Sequence, residues 1–273
     1  MLPKSEMPMR CKVLCVDDDH HLTDLLRYAL TRAGYAVQEA NTGAEALRLA
    51  KVDPPDVVLL DIRLPDIDGR TLCTQLRAML HVPIVMLTAH KADADVLSGF
   101  QHGADDYITK PFSMQILLYR LKAALRRSPR DPTAGEQSED TYQVGGGVYN
   151  PKQNDIQGPG GRVKLTHTEG KLLYLLVRHP GRVLSVEHIM EQLWGYDTDC
   201  NLSVIKTHVH CLRAKVAAAV GDRTVIYTVP GNGYSLRQGS TARAHRPVTP
   251  SGRPGPFSYR DTPPTPWIDA PSA

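Results

Sequence analysis

The 273-residue chain has no apolar run long enough to cross a bilayer. Its apolar runs, such as Val57–Leu60 and Leu172–Val177, fall far short of the ~18–20 residues a spanning helix needs. Met1–Arg10 carries Pro3 and Pro8 and no apolar stretch, so neither a secretory signal nor a membrane partner is expected. No C-x-x-C pair occurs, and five cysteines are an odd number, which argues against a disulfide framework or a zinc finger. Cys11 and Cys15 alternate with apolar residues and read as core positions; a cytoplasmic location is expected. Internal repeats are absent. Charge of one sign is also lacking overall, at net +3, but its distribution is uneven. Residues 1–127 carry 16 Lys/Arg against 16 Asp/Glu, 128–140 carry 1 against 4, and 141–238 carry 11 against 7. The basic surplus of the second half suggests a polyanionic partner there.

What is present is hydrophobic content of 41%, ample for buried cores, in a length that suits about two domains. Five short runs rich in Val, Ile and Leu punctuate the first half: Lys12–Val16, Ala36–Ala40, Asp56–Leu60, Ile84–Leu87 and Tyr107–Thr109. They are continuous rather than alternating, as strands buried on both faces are. Helical patterns fill the gaps, and Gly34 sits where a helix C-cap belongs. The expected fold is a doubly wound α/β domain with a five-stranded parallel sheet over residues 11–127, after a flexible N-terminus 1–10. Ser128–Thr141, with two prolines and four acidic residues, reads as a linker, bounded at 128–140. Short strands to Leu165, helices near 167–178, 186–194 and 201–217, and a hairpin around Pro230-Gly231-Asn232-Gly233 make an α+β domain over 141–237. The stretch 238–273, with eight prolines, is expected to be a disordered tail.

Function in such sheets collects beyond the carboxyl ends of the strands. There the first strand delivers Asp17-Asp18-Asp19, the third Asp61, the fourth Thr88 and the fifth Lys110-Pro111. Converging carboxylates repel one another unless a hard cation intervenes, and Mg²⁺ takes few protein carboxylates while keeping several waters. A hydroxyl and an ammonium opposite complete the equipment for phosphoryl transfer to a carboxylate. A phosphatase working through an aspartyl-phosphate would need a second acid two residues after Asp61. That position is Arg63, which cannot act as a general base.

Val16-Asp17-Asp18-Asp19, Leu60-Asp61 through Pro65 to Gly69, Leu87-Thr88-Ala89 and Gly103 through Tyr107 to Lys110-Pro111-Phe112 resemble a two-component receiver domain. The resemblance implies that Asp61 accepts a phosphoryl group from a sensor histidine kinase. It implies that Asp17, Asp18, Asp61 and the backbone carbonyl of Arg63 serve Mg²⁺, and that Thr88 and Lys110 bind phosphoryl oxygens. It further implies that Tyr107 is an aromatic switch and Lys110–Pro111 a cis peptide.

Leu165-Thr-His-Thr-Glu169, His179 to Ser185, Gln192-Leu-Trp194-Gly, Val204–Val216 and Tyr227 to Tyr234 resemble the winged-helix domain of OmpR/PhoB-type response regulators. The resemblance implies double-stranded DNA and RNA polymerase as partners. In the helix 201–217, Ile205, Val209, Leu212 and Val216 form a buried stripe at i, i+4, i+7 and i+11. The opposite face holds Ser203, Val204, Thr207, His210, Cys211 and Ala214. Lys206 and Arg213 flank one side of it, His208 and Lys215 the other. Ser203, Lys206, Thr207, His210, Arg213 and Lys215 are the expected DNA contacts, with Lys206 and Arg213 on phosphates and Thr207 and His210 on base edges. His208 and His210 cannot share a metal, since i and i+2 do not face each other. Where many relatives have Arg-Arg this chain has His210-Cys211, and Pro230 replaces a wing arginine. Gly170 replaces an aromatic, which is expected to cost packing.

The expected function is that of a phosphorylation-switched, non-enzymatic transcription regulator that forms a homodimer when phosphorylated. Family dimers use the fourth helix, fifth strand and fifth helix of the receiver; here Val96 and Ile116 replace a usual ion pair, while Asp106 and Arg120 keep the charges of a second. Two alternatives stay open: an orphan regulator that binds DNA without phosphorylation, and a receiver acting only through protein partners.

Overall fold

In a computed structural model of the chain, residues 11–89, 102–125, 141–195 and 203–237 are described. The expected N-terminal extension, the linker 128–140, the proline-rich tail and Val96 lie outside them.

Five strands, β1 (Lys12–Val16), β2 (Ala36–Ala40), β3 (Val57–Asp61), β4 (Ile84–Thr88) and β5 (Asp106–Thr109), form one sheet in the order β2-β1-β3-β4-β5. Every pairing is parallel. The helices α1 (His20–Arg32), α2 (Gly43–Val52), α3 (Gly69–Met79) and α4 (Met114–Leu125) cover it. Residues of β3 alternate between two cores: Val58 and Leu60 pack on one face, Val57 and Leu59 on the other. Burial on both faces is why these strands carry unbroken apolar runs. Helix α1 ends as expected, with Ala33 as C-cap and Gly34 at φ +95°, a conformation a side chain would oppose. The order of the strands reverses between β1 and β3, which opens a crevice at their carboxyl ends.

The second half holds a four-stranded antiparallel sheet of β6 (Tyr142–Val144), β7 (Gly147–Asn150), β8 (Asp155–Gly158) and β9 (Gly161–Lys164). Helices α5 (His167–Arg178), α6 (Val186–Trp194) and α7 (Ser203–Val220) follow, then the antiparallel hairpin β10 (Ile226–Val229) and β11 (Gly233–Leu236). Thr166 and Glu169 form a reciprocal capping box at the start of α5, satisfying two otherwise orphaned amides. A bridge between Leu184 and Tyr234 ties the hairpin to the loop before α6.

The expected packing cost at Gly170 is offset in an unexpected way. A Cβ there would lie 1.7 Å from the Asn154 side-chain oxygen. The Asn154 amide donates to the Leu165 and Thr166 carbonyls, and the Tyr149 hydroxyl donates to the Gly170 carbonyl at 2.9 Å. The place of a large side chain is thus taken by an asparagine clamp reaching over the helix.

Candidate functional site

Strand β3 ends on Asp61, and β1 runs directly into Asp17 and Asp18. Oxygens of Asp17, Asp18 and Asp61 lie within 4.8 Å of one another. Asp17 is wholly buried and Asp61 nearly so, while Asp18 is exposed at the mouth of the crevice. Asp19 takes a structural role instead: its carboxylate accepts from the His21 and Leu22 amides and caps α1. The cluster is held from across the crevice by Lys110, whose ammonium lies 2.6 Å from Asp17 and 3.2 Å from Asp61. The Lys110–Pro111 peptide is cis, as expected.

Burial pushes the Asp61 carboxyl up; Lys110 pulls it back and Asp17 raises it again. Burial would lower the Lys110 ammonium, but Asp17 and Asp61 hold it above its ordinary value. Thr88, at the end of β4, and Tyr107, in β5, are both buried. Arg63 sits in the loop after β3, bridged to Asp68. That loop approaches so closely that a Cβ on Gly69 would lie 2.2 Å from the Asp61 carbonyl oxygen. Its other anchor, missed from sequence, is Asp66, which accepts from the Gly43 and Ala44 amides at the N-terminus of α2. The carboxylates supply the hard oxygen donors that Mg²⁺ prefers, and Arg63 follows Asp61 by two residues in the loop after β3.

On α7 the expected apolar stripe of Ile205, Val209, Leu212 and Val216 is buried. The opposite face departs from expectation. Lys206, His210 and Ala214 are exposed in a single stripe at i, i+4 and i+8. Thr207, assigned to base edges, is 4% exposed, and Val204 is also covered. Lys215 is not a free phosphate clamp: its ammonium lies 2.6 Å from Glu169 of the α5 capping box. Arg213 turns towards the hairpin, donating to the Ile226 carbonyl and the Thr228 hydroxyl at 2.8 Å each, with its guanidinium over Tyr234. The Thr-x-x-Glu spacing from Thr166 to Glu169 signals the capping box in sequence; the ties of Lys215 and Arg213 depend on packing that periodicity does not encode. Ser203 opens the helix. His208 is 2% exposed against the Trp194 ring, with centroids 5.6 Å apart.

Of the residues expected at a dimer surface, Ile116 is exposed on α4. Asp106 and Arg120 are joined to each other within the chain, the guanidinium donating to both carboxylate oxygens at 2.9 Å. No helix among the described residues is long and apolar enough to cross a membrane.

Two family models match the chain, one described as the response regulator receiver domain over residues 13–122, the other as the C-terminal domain of transcriptional regulatory proteins over 160–236. The chain is 38% identical over 228 residues to the DNA-binding dual master transcriptional regulator RpaA of Synechocystis sp., covering 82% of this chain and 94% of that protein. It is 39% identical over 233 residues to the response regulator MprA of Mycolicibacterium vanbaalenii, covering 85% and 99% respectively. Among solved structures, a RitR mutant 25% identical to the chain superposes with a TM-score of 0.67, covering 84% of this chain and all of that one.

Proposed function

This chain belongs to the OmpR/PhoB-type response regulators, DNA-binding transcription regulators of two-component systems, and from that premise we propose that phosphorylation of Asp61 is its input and duplex binding through α7 its output. The observation that carries this reading is the convergence of Asp17, Asp18, Asp61 and Lys110 at the β1/β3 crevice. Regulators of this type work with sensor kinases and DNA. Here an Asp61 oxygen would attack the phosphorus of a phosphohistidine; the phosphorus–nitrogen bond breaks, and the imidazole leaves as the aspartyl-phosphate forms. Lys110 faces the oxygens that gain charge, and Thr88 stands at the end of the neighbouring strand. Mg²⁺, held by Asp17, Asp18, Asp61 and the Arg63 carbonyl, would neutralise the carboxylates and orient the phosphoryl oxygens when bound. Tyr107 would carry the change along β5.

The phosphorylated receiver would dimerise through the α4 face, with Ile116 opposite Val96 of a second copy and Asp106–Arg120 lining the contact. RNA polymerase is the proposed target of the assembled regulator, in the cytoplasm. The proposed domain limits are 11–127 for the receiver and 141–237 for the winged domain. Asp61→Asn should abolish labelling by a small-molecule phosphodonor, and chelation of divalent cations should do the same to the parent chain. Labelling that persists in Asp61→Asn sinks the assignment, and a parent chain that takes no label at all favours an orphan regulator.

A further inference from the structure

Helix α7 and the hairpin beside it offer a duplex little positive charge. Of the helix's cations Lys206, Arg213 and Lys215, the last is paired with Glu169, and Arg213 gives donors to the Ile226 carbonyl and the Thr228 hydroxyl. Lys206 alone of the three is exposed. The hairpin adds nothing, because residues 225–236 contain no charged side chain and Pro230 stands at the tip. Affinity for duplex comes largely from phosphates neutralised by Lys and Arg, each releasing condensed counterions. One exposed cation on the reading helix and none on the hairpin leave that source thin.

The missing charge lies immediately downstream. Residues 238–260, outside the described part of the chain, contain Arg243, Arg246, Arg253 and Arg260, and the first carboxylate after Asp222 is Asp261. These arginines lie beyond the match to the winged-domain family, which ends at residue 236. Their point of departure is fixed: the Arg237 amide donates to the Val225 carbonyl at 3.0 Å, closing the base of the hairpin. Arg213 ties that hairpin to α7, with its guanidinium over Tyr234. A chain leaving the base therefore starts from the same unit as α7. Its 23 residues reach at most about 80 Å, more than two turns of duplex.

We propose that residues 238–260 form a basic arm that binds the phosphate backbone of the duplex beside the α7 footprint, supplying the charge that the hairpin lacks. The proposal rests on the reading of α7 as the duplex-contacting helix. Once α7 engages, the arm's contacts become intramolecular and raise affinity without touching base edges. A guanidinium suits the task, since its planar fork matches phosphate oxygens and keeps its charge at neutral pH.

The test uses the full chain, a random-sequence duplex pool and the duplex it selects from that pool, over about 50–200 mM salt. The variant Arg243→Gln/Arg246→Gln/Arg253→Gln/Arg260→Gln should weaken binding to both by the same factor, about tenfold or more at the lowest salt. It should lower the salt slope by ~2–4, since each lost phosphate contact removes about 0.9. Base preference and melting temperature should not move. Lysine at the same four positions should restore the slope. The same loss of charge on α1 and α2, at Arg27, Arg32, Arg48 and Lys51, should leave the slope near the parent's. An equal drop there overturns the arm, as does an unchanged slope in the tail variant or a loss confined to the selected duplex. Lys206→Glu separates the two readings. If it weakens binding while the tail variant behaves as the parent, the arm alone fails. If it leaves binding intact while the tail variant loses it, the arm stands and the role of α7 fails.

Discussion

Lys110 lies closer to Asp17, at 2.6 Å, than to Asp61, at 3.2 Å, so the ammonium serves the fully buried carboxylate before the proposed phosphoacceptor. Asp17 has no solvent exposure and no other cation of the described residues bonded to it, so Lys110 is its principal counter-charge.

Lys110→Ala should therefore destabilise the receiver in the absence of divalent cations by about 1–3 kcal/mol, less than the ~3–5 kcal/mol of a fully buried broken pair because Lys110 keeps some exposure. Added Mg²⁺ should restore more stability to the variant than it adds to the parent chain, since it meets carboxylates with no competing ammonium. Thermal melting with and without Mg²⁺ measures both; equal Mg²⁺ stabilisation in the two proteins would show that Lys110 does not share the site.

Gly69→Ala should cost about 1–3 kcal/mol or more and slow phosphorylation, because the added methyl collides with the backbone of Asp61 rather than with a movable side chain. A melting temperature equal to that of the parent would show that the loop after β3 has room to give.

Along α7, the exposed stripe of Lys206 and His210 revises the expected division of labour. Lys206→Ala should weaken duplex binding about uniformly across sequences and lower the salt slope by ~1. His210→Ala should change preference at particular base pairs by about 1–3 kcal/mol. Thr207→Ala, at a covered position, should leave base preference intact; a selection experiment in which it shifted the preferred sequence would return Thr207 to the DNA face.

Burial pushes His167 and His208 down from 6.5 to about 4, so both stay neutral in the folded chain. Lys171, Asp105 and Arg77 face His167; Asp105 and Lys215 face His208. Unfolded, each takes up a proton as pH falls through about 6.5, while the folded form resists until about 4. The stability present above pH 6.5 is thus lost progressively towards pH 4. The melting temperature should fall across that window, and His208→Asn should flatten its pH dependence. An unchanged slope in that variant would mean that His208 is not held neutral.

Most of the receiver was legible because doubly buried strands write themselves as unbroken apolar runs and place their chemistry at fixed ends. Asp17, Asp18, Asp61 and Lys110 meet for that reason. Helix α7 was legible only on its buried stripe. The fates of Arg213 and Lys215 depend on neighbours supplied by the β10–β11 hairpin and by α5, which lie outside the helix and its period. Gly170 misled for a related reason. Its missing side chain is replaced by Asn154, sixteen positions earlier, and no helical period links the two.

Strand β5 has Lys110 just beyond one end and Asp105 just before the other, about 16 Å apart at the usual rise of an extended chain. Asp105 accepts from the Thr168 amide at 2.8 Å, so one short segment enters both the phosphoryl crevice and the seam with the winged domain. An insertion or deletion within Asp106–Thr109 would shift one of these two residues off its partner, whichever end stayed in register. The segment is therefore intolerant of length change during divergence, and a swap of receivers between regulators should keep the span from Asp105 to Lys110 as a single inherited block.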